Sequence, residues 1–250
     1  MGFFSRWFGG ADDRAAQTGR TLSGPLARLR KKVINKYGQP EDRRHALQQV
    51  AEIGTAEAAS VLLERFTFRI EQTIGDEEEK RMVHEDLVRL GPVAVEPILA
   101  FLRTENAPYW PLRALRQIIG DEATVTHLLE IIEGCEAIFD RDIERKVLLV
   151  QNLREFEDPR VRERLFEFLH DENEELRVQA VEGLMAMGRQ EMVDTMIDRL
   201  LSPDETQRVK TAILNLLIDK KWKVKHRKEE VRKAIPPTFW IDDVGVIHRR

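Results

Sequence analysis

Apolar residues recur along most of this chain at intervals of three and four, the spacing that puts them on one face of a helix. The pattern resets at regular places. RVQAVEGLMAMG, Arg177 to Gly188, shows one frame: a basic residue, a small apolar residue three later, and glycine eight after that. The frame returns at Arg43, Ala46 and Gly54, at Lys80, Val83 and Gly91, and at Tyr109, Leu112 and Gly120. Two further copies lack the glycine: Arg145, Leu148 and Phe156, then Arg208, Thr211 and Asp219. Successive central positions lie 37, 29, 36, 32 and 31 residues apart, a period typical of helical repeats.

Each copy leads into a second amphipathic stretch: EAASVLLERF, VAVEPILAFL, TVTHLLEII, VRERLFEFL and MVDTMIDRL. The copies therefore predict helix pairs. Gly54, Gly91, Gly120 and Gly188 stand where the first helix of a pair stops, and glycine takes the left-handed backbone that closes a helix. Asp158-Pro159 and Ser202-Pro203 read as helix starts, each a capping oxygen followed by proline at the first helical position. No long alternating β-branched run precedes residue 239. A pair of this kind cannot bury its apolar stripe alone, so consecutive pairs must stack. The predicted fold is all-α: an α-solenoid, or superhelix, of about six helix pairs over 26–235, preceded by a flexible segment 1–25 and followed by an extended cap 236–250.

The frame, with acidic loops such as LHDENEELRVQAVEGL before it, resembles HEAT repeats over roughly residues 40–233, and the short period is similar to the phycobilisome-lyase type. The tetratricopeptide pattern of Trp, Leu-Gly and Tyr is missing, as is the ankyrin T-P-L-H signature. Tyr109, Phe156 and Asp219 depart from the frame. Small residues at Ala46 and Ala180 predict close approach of paired helices. Arg43, Arg145, Arg177 and Arg208, each at a helix start, are expected to reach acidic loops of neighbouring repeats.

Charge adds a polarity along the chain. Residues 1–37 carry 8 Lys/Arg against 2 Asp/Glu, residues 38–218 carry 22 against 37, and residues 219–233 carry 8 against 3. The ends are basic and the middle is acidic. One cysteine, Cys135, excludes an internal disulfide and suits a reducing, cytoplasmic setting. No apolar run is long enough to span a bilayer.

Both ends carry candidate surfaces. Phe3, Phe4, Trp7 and Phe8 fall on one side of a short helix around Arg6 and could dock on a partner, or on the inner face of a membrane beside anionic lipid. Near the other end, DKKWKVKHRK places Lys220, Lys221, Trp222, Lys223, Lys225, Arg227 and Lys228 together. The frame puts Trp222 to Lys233 in the second helix of the sixth pair, with Trp222, Val224, Val231 and Ala234 inward and the bases outward. The apolar residues of IPPTFWIDDVGVIHRR, with a turn at Asp243 to Gly245, are expected to cover the end of the last repeat.

Catalytic motifs are missing. The six histidines form no H-x-x-x-H pair, no phosphate-binding or nucleotide-binding glycine loop occurs, and Cys135 has no histidine near it in sequence. The expectation is a protein without catalytic, metal or cofactor sites. The resemblance to HEAT repeats implies a scaffold or adaptor for protein–protein interaction, and the acidic middle implies a basic or amphipathic client. Two alternatives follow from the same resemblance: a bilin lyase, and a glycosylase acting on alkylated bases. An acidic body and a single tryptophan within the basic stretch weigh against nucleic acid as the partner.

Overall fold

The computed structural model describes residues 24–135, 139–187 and 192–250. Among the described residues twelve α-helices follow in order: α1 Gly24–Val33, α2 Pro40–Ile53, α3 Ala56–Leu63, α4 Thr73–Leu90, α5 Val95–Thr104, α6 Tyr109–Glu133, α7 Asp140–Leu153, α8 Pro159–Phe168, α9 Glu174–Ala186, α10 Val193–Leu201, α11 Gln207–Asp219 and α12 Lys228–Ala234. Two short strands close the chain, β1 Phe239–Ile241 and β2 Ile247–Arg249. The fold is an all-α helical repeat. It divides into two compact units, one comprising residues up to Phe101 with Arg113–Ile118, the other Leu102–Leu112 with Ile119–Arg250.

In the first unit α2 starts at Pro40, where a missing N–H costs nothing, with Glu41 and Asp42 in its first turn opposing the helix dipole. It ends at Gly54 in the left-handed conformation (φ 71°), and Thr55 then caps α3 by accepting the Ala58 N–H. Ala46, Leu47, Val50 and Ala51 bury one face of α2, while α3 buries Ala58, Ala59, Val61, Leu62 and Leu63 because it lies against α1, α2 and α4 together. Each such leucine or valine contributes about 1.5–3 kcal/mol of burial.

Pairing in the second unit follows the same plan: α7 packs on α9 and α9 on α11, while α8 and α10 flank them. Gly183 marks the closest approach. A methyl there would stand 2.8 Å from Leu165 Cδ1 and 3.1 Å from Arg154 Cβ. Gly120 divides α6 into two helices, since its φ of 81° and ψ of 170° lie outside the helical range. Gly91 likewise sits at φ 60° after α4, and Gly188 falls outside the described residues.

Two repeats run in a later frame than their basic residues suggest. Thr211 is exposed, and the buried set Val209, Ile213, Leu214 and Leu217 lies 33 residues beyond Leu176, Ala180, Val181 and Leu184. The same offset carries the cap Asn173 to Thr206 and Gly188 to Lys221, which is itself left-handed. Ile213 therefore fills the central place, and Arg208 lies outside the frame. In the fourth pair Leu149, fully buried, takes the place expected for half-buried Leu148. Asp158 caps α8 as expected, its Oδ1 accepting the Arg160 N–H at 2.8 Å. Ser202-Pro203 does not start α11. Ser202 ends α10, and Thr206 caps α11 through its hydroxyl, because the chain turns once between the helices.

The tail folds as an antiparallel hairpin pairing Phe239 with Arg249, Trp240 with His248 and Ile241 with Ile247. Its turn closes through Asp242, whose Oδ1 accepts the Val246 N–H at 2.8 Å, and through Gly245 at φ 89°. Ile241, Val246 and Ile247 are buried as the cap requires, with β2 against α11 and β1 against α12. Trp240 and Val244, also expected to cover the last repeat, stay 42% and 61% exposed.

Candidate functional site

Arginines of the repeat frame build two related buried sites. In the first unit Arg43, at the start of α2, meets Glu79 of α4 through two parallel bonds, Nε to Oε2 at 2.8 Å and NH2 to Oε1 at 2.9 Å. Arg65, just beyond α3, donates to the same Glu79 Oε2 at 2.7 Å and to Asp76 Oδ1 at 2.7 Å. Lys80 completes the set on Asp76 Oδ2 at 2.6 Å. Further donors are satisfied by Asn35 and Phe68 carbonyls, and the Phe68 ring lies over the Arg65 guanidinium at 4.6 Å. Arg43, Arg65 and Glu79 are almost wholly buried.

The second unit repeats the arrangement. Arg177 donates Nε to Glu205 Oε1 at 3.1 Å and NH1 to the Asp171 and Glu172 carbonyls. Arg199, at the end of α10, binds the other oxygen of Glu205. Arg43 to Arg65 and Arg177 to Arg199 are the same distance along the chain, 22 residues. In each case two arginines of one pair clamp a glutamate on the way into the next. Arg65, Asp76, Glu79, Arg199 and Glu205 were not legible as partners in the frame, although the repeated 22-residue interval is visible in the sequence. The other arginines behave differently: Arg145 pairs within its own helix with Asp142, and exposed Arg208 reaches back to Glu175 of α9. Lys146 takes the frame position in the fourth pair and meets Asp171 at 3.7 Å.

Burial raises the carboxyl pKa of Asp76, but hydrogen bonds from Lys80 and Arg65 outweigh it, and the net shift is downward. At Glu205 burial likewise raises, and the Thr206 N–H with Arg199 and Arg177 prevails, again downward. A carboxyl whose folded pKa is depressed stabilises the fold above its unfolded pKa, about 4, and loses that contribution as pH falls through the folded value. Urea unfolding at pH 7, 4 and 3 is therefore expected to show stability falling below about pH 4. Substitution Glu205→Gln should flatten part of that fall; an unchanged profile would remove the clamp from the explanation.

The basic stretch Lys220–Lys228 is not one helix. After α11, Lys221 turns left-handed at φ 51°, with the Trp222 N–H bonded to the Leu217 carbonyl. Lys223 then bridges Val246, the Val224 N–H bonds to the Gly245 carbonyl at 2.8 Å, and Lys225 is again left-handed at φ 40°. A lysine in this conformation costs about 1–2 kcal/mol, and the hairpin fixes it there. A tight turn at 225–227 leads into α12. Trp222, Val224 and Val231 are buried as expected, but Ala234 is exposed, because α12 begins only at Lys228 and its register is set by that turn. The bases divide into two groups. Arg227 pairs with Asp198 and Glu230, and Lys228 lies 3.9 Å from Asp243. Lys220, Lys221, Lys223 and Lys225 are exposed and make no ion pair among the described residues.

A cleft of about 270 Å³ lies within the second unit beside Cys135, with Arg103 and Arg145 on its wall. Arg145 NH2 is 3.7 Å from Cys135 Sγ. Phe3, Phe4, Trp7 and Phe8 lie outside the described residues. Among the described residues no helix is long and apolar enough to cross a membrane, and no group of three His, Cys, Asp or Glu is placed to hold a metal ion.

Paired helices, a recurring buried frame and arginines tying one pair to the next define a helical-repeat protein. Residues 135–217 match the family model of HEAT repeats. That match does not reach the phycobilisome-lyase type. Comparison with curated proteins found no match.

Proposed function

We propose that this protein is a non-enzymatic scaffold or adaptor that holds a protein client inside the cell. One observation carries the reading. Of the five most exposed large apolar side chains among the described residues, four stand at the entry to the first helix of successive pairs: Tyr37 at 85%, Ile74 at 79%, Tyr109 at 47% and Phe139 at 70%. Isolated exposed apolar residues are ordinary on a soluble surface, but Tyr37, Ile74 and Phe139 each lie six residues before the basic residue of their frame, Arg43, Lys80 and Arg145, and Tyr109 opens the helix of the remaining copy, which is a pattern. Exposed apolar anchors at helix entries within each unit suit a protein partner. The excess of acid over base in residues 38–218 favours a basic or amphipathic client.

The test uses the tagged full-length protein and a variant carrying Tyr37→Ser, Ile74→Ser, Tyr109→Ser and Phe139→Ser. Affinity capture from lysate of the protein's own source, after nuclease treatment, should retain a discrete protein on the native chain and lose it on the variant. Equal retention by both would reject these residues as the docking surface. Retention of nucleic acid alone would reject the scaffold reading.

A further inference from the structure

We propose that the outer face of the C-terminal hairpin, with the Lys220–Lys225 loop beside it, binds single-stranded nucleic acid without sequence preference. Paired residues in an antiparallel ladder place their side chains on the same face, and that face alternates along each strand. Trp240 pairs with His248, Val246 lies two residues before His248, and Lys223 bridges Val246. Lys223, Val246, His248 and Trp240 therefore share one face, on which Val246 is covered while Lys223, Trp240 and His248 reach solvent. Ile241 and Ile247 take the other and are buried toward the helices. On the outer face the Trp240 indole is 42% exposed and stacks on the His248 ring, centroids 4.7 Å apart and planes 24° from parallel. Asp242 holds that histidine at 2.9 Å.

The flat ring pair thus shares a face with Lys223, which belongs to a loop of cations without ion-pair partners among the described residues. Lys220, Lys221, Lys223 and Lys225 are exposed without an ion pair among the described residues, whereas neighbouring Arg227 and Lys228 are paired. Their loop is also held in place. Two left-handed lysines are kept by the Val224 to Gly245 hydrogen bond, and a methyl on Gly245 would come 3.4 Å from the Lys225 nitrogen. An aromatic platform for bases beside a cluster of ammonium groups for phosphates is the combination that binds single strands through stacking and charge.

Competing partners use only part of this surface. An acidic peptide would need the lysines and leave the ring stack without a role. A lipid bilayer would meet the hairpin tip, where Asp243 is fully exposed beside Val244 and is repelled by anionic headgroups. The acidic composition of residues 38–218 also limits the site to a short segment, since a long strand laid along the body would meet like charge.

The experiment is fluorescence anisotropy of a labelled oligothymidylate of about twelve nucleotides titrated with the full-length protein at about 50 mM salt. Saturable binding that weakens steeply with salt is expected. Replacing Lys220, Lys221, Lys223 and Lys225 by glutamine, all at exposed positions, should lower the slope of log affinity against log salt by about 3. Trp240→Ala should weaken binding about tenfold and Trp240→Phe much less. The four-serine variant described above should bind the oligonucleotide as the native chain does, which separates this inference from the scaffold reading. No binding at low salt overturns the proposal, as does equal affinity for Trp240→Ala. Binding to vesicles containing phosphatidylserine with none to the oligonucleotide overturns it in favour of a membrane.

Discussion

Replacing Glu79 with alanine is expected to lower the free energy of unfolding by about 3–5 kcal/mol, enough to unfold the first unit or leave it marginal. The carboxylate is the common partner of Arg43 and Arg65, both almost wholly inaccessible to water. Removing it strands two guanidinium groups with carbonyl partners and Asp76 alone. Desolvation of those charges is already complete in the native fold, so the loss of attraction is not repaid by hydration. Urea denaturation of the native and Glu79→Ala proteins reads the effect. The combined variant Arg43→Met, Arg65→Met and Glu79→Leu should recover most of the stability, because a packed apolar trio has no charges left to desolvate. A loss under 1 kcal/mol for Glu79→Ala would mean that water reaches these arginines.

Glu205→Ala in the second unit should cost less, about 2–3 kcal/mol. The chemistry matches, with two arginines on one carboxylate, but Arg199 keeps 19% of its side-chain surface exposed where Arg65 keeps none. Arg199 can turn outward and be hydrated once the carboxylate is gone. Arg177 retains the Asp171 and Glu172 carbonyls, so only part of its bonding is lost. The same denaturation measurement orders the two sites, and a larger loss at Glu205 than at Glu79 would contradict the role assigned to solvent access.

Much of the architecture is legible in the sequence because helix pairs write their burial as a period. Ala46, Val83, Leu112 and Ala180 are buried where the frame puts them, and the glycines at 54, 91 and 120 leave the helical conformation. The frame slips where it follows charge and not burial. Arg208 looks like Arg177 in one dimension, yet the stripe Val209, Ile213, Leu214 and Leu217 fixes a register two residues later. Glycine was the wrong marker for that stop, since Lys221 adopts the left-handed turn when the following strand pairing holds it. The clamps were half visible: basic residues at helix starts announced a partner, but the partner's place depends on loop lengths that vary between repeats. The hairpin face was not legible, because the isolated bridge from Lys223 to Val246 joins segments that only the folded chain brings together.

The two clamps occupy particular junctions: first to second pair, and fifth to sixth. In a linear array a repeat in the interior is held by two neighbours, while a terminal one is held by a single neighbour and frays first. Strong, directional ion pairs at the outermost junctions raise the cost of that first step of opening. The first junction of one unit and the last junction of the other are thus each riveted where unzipping would begin.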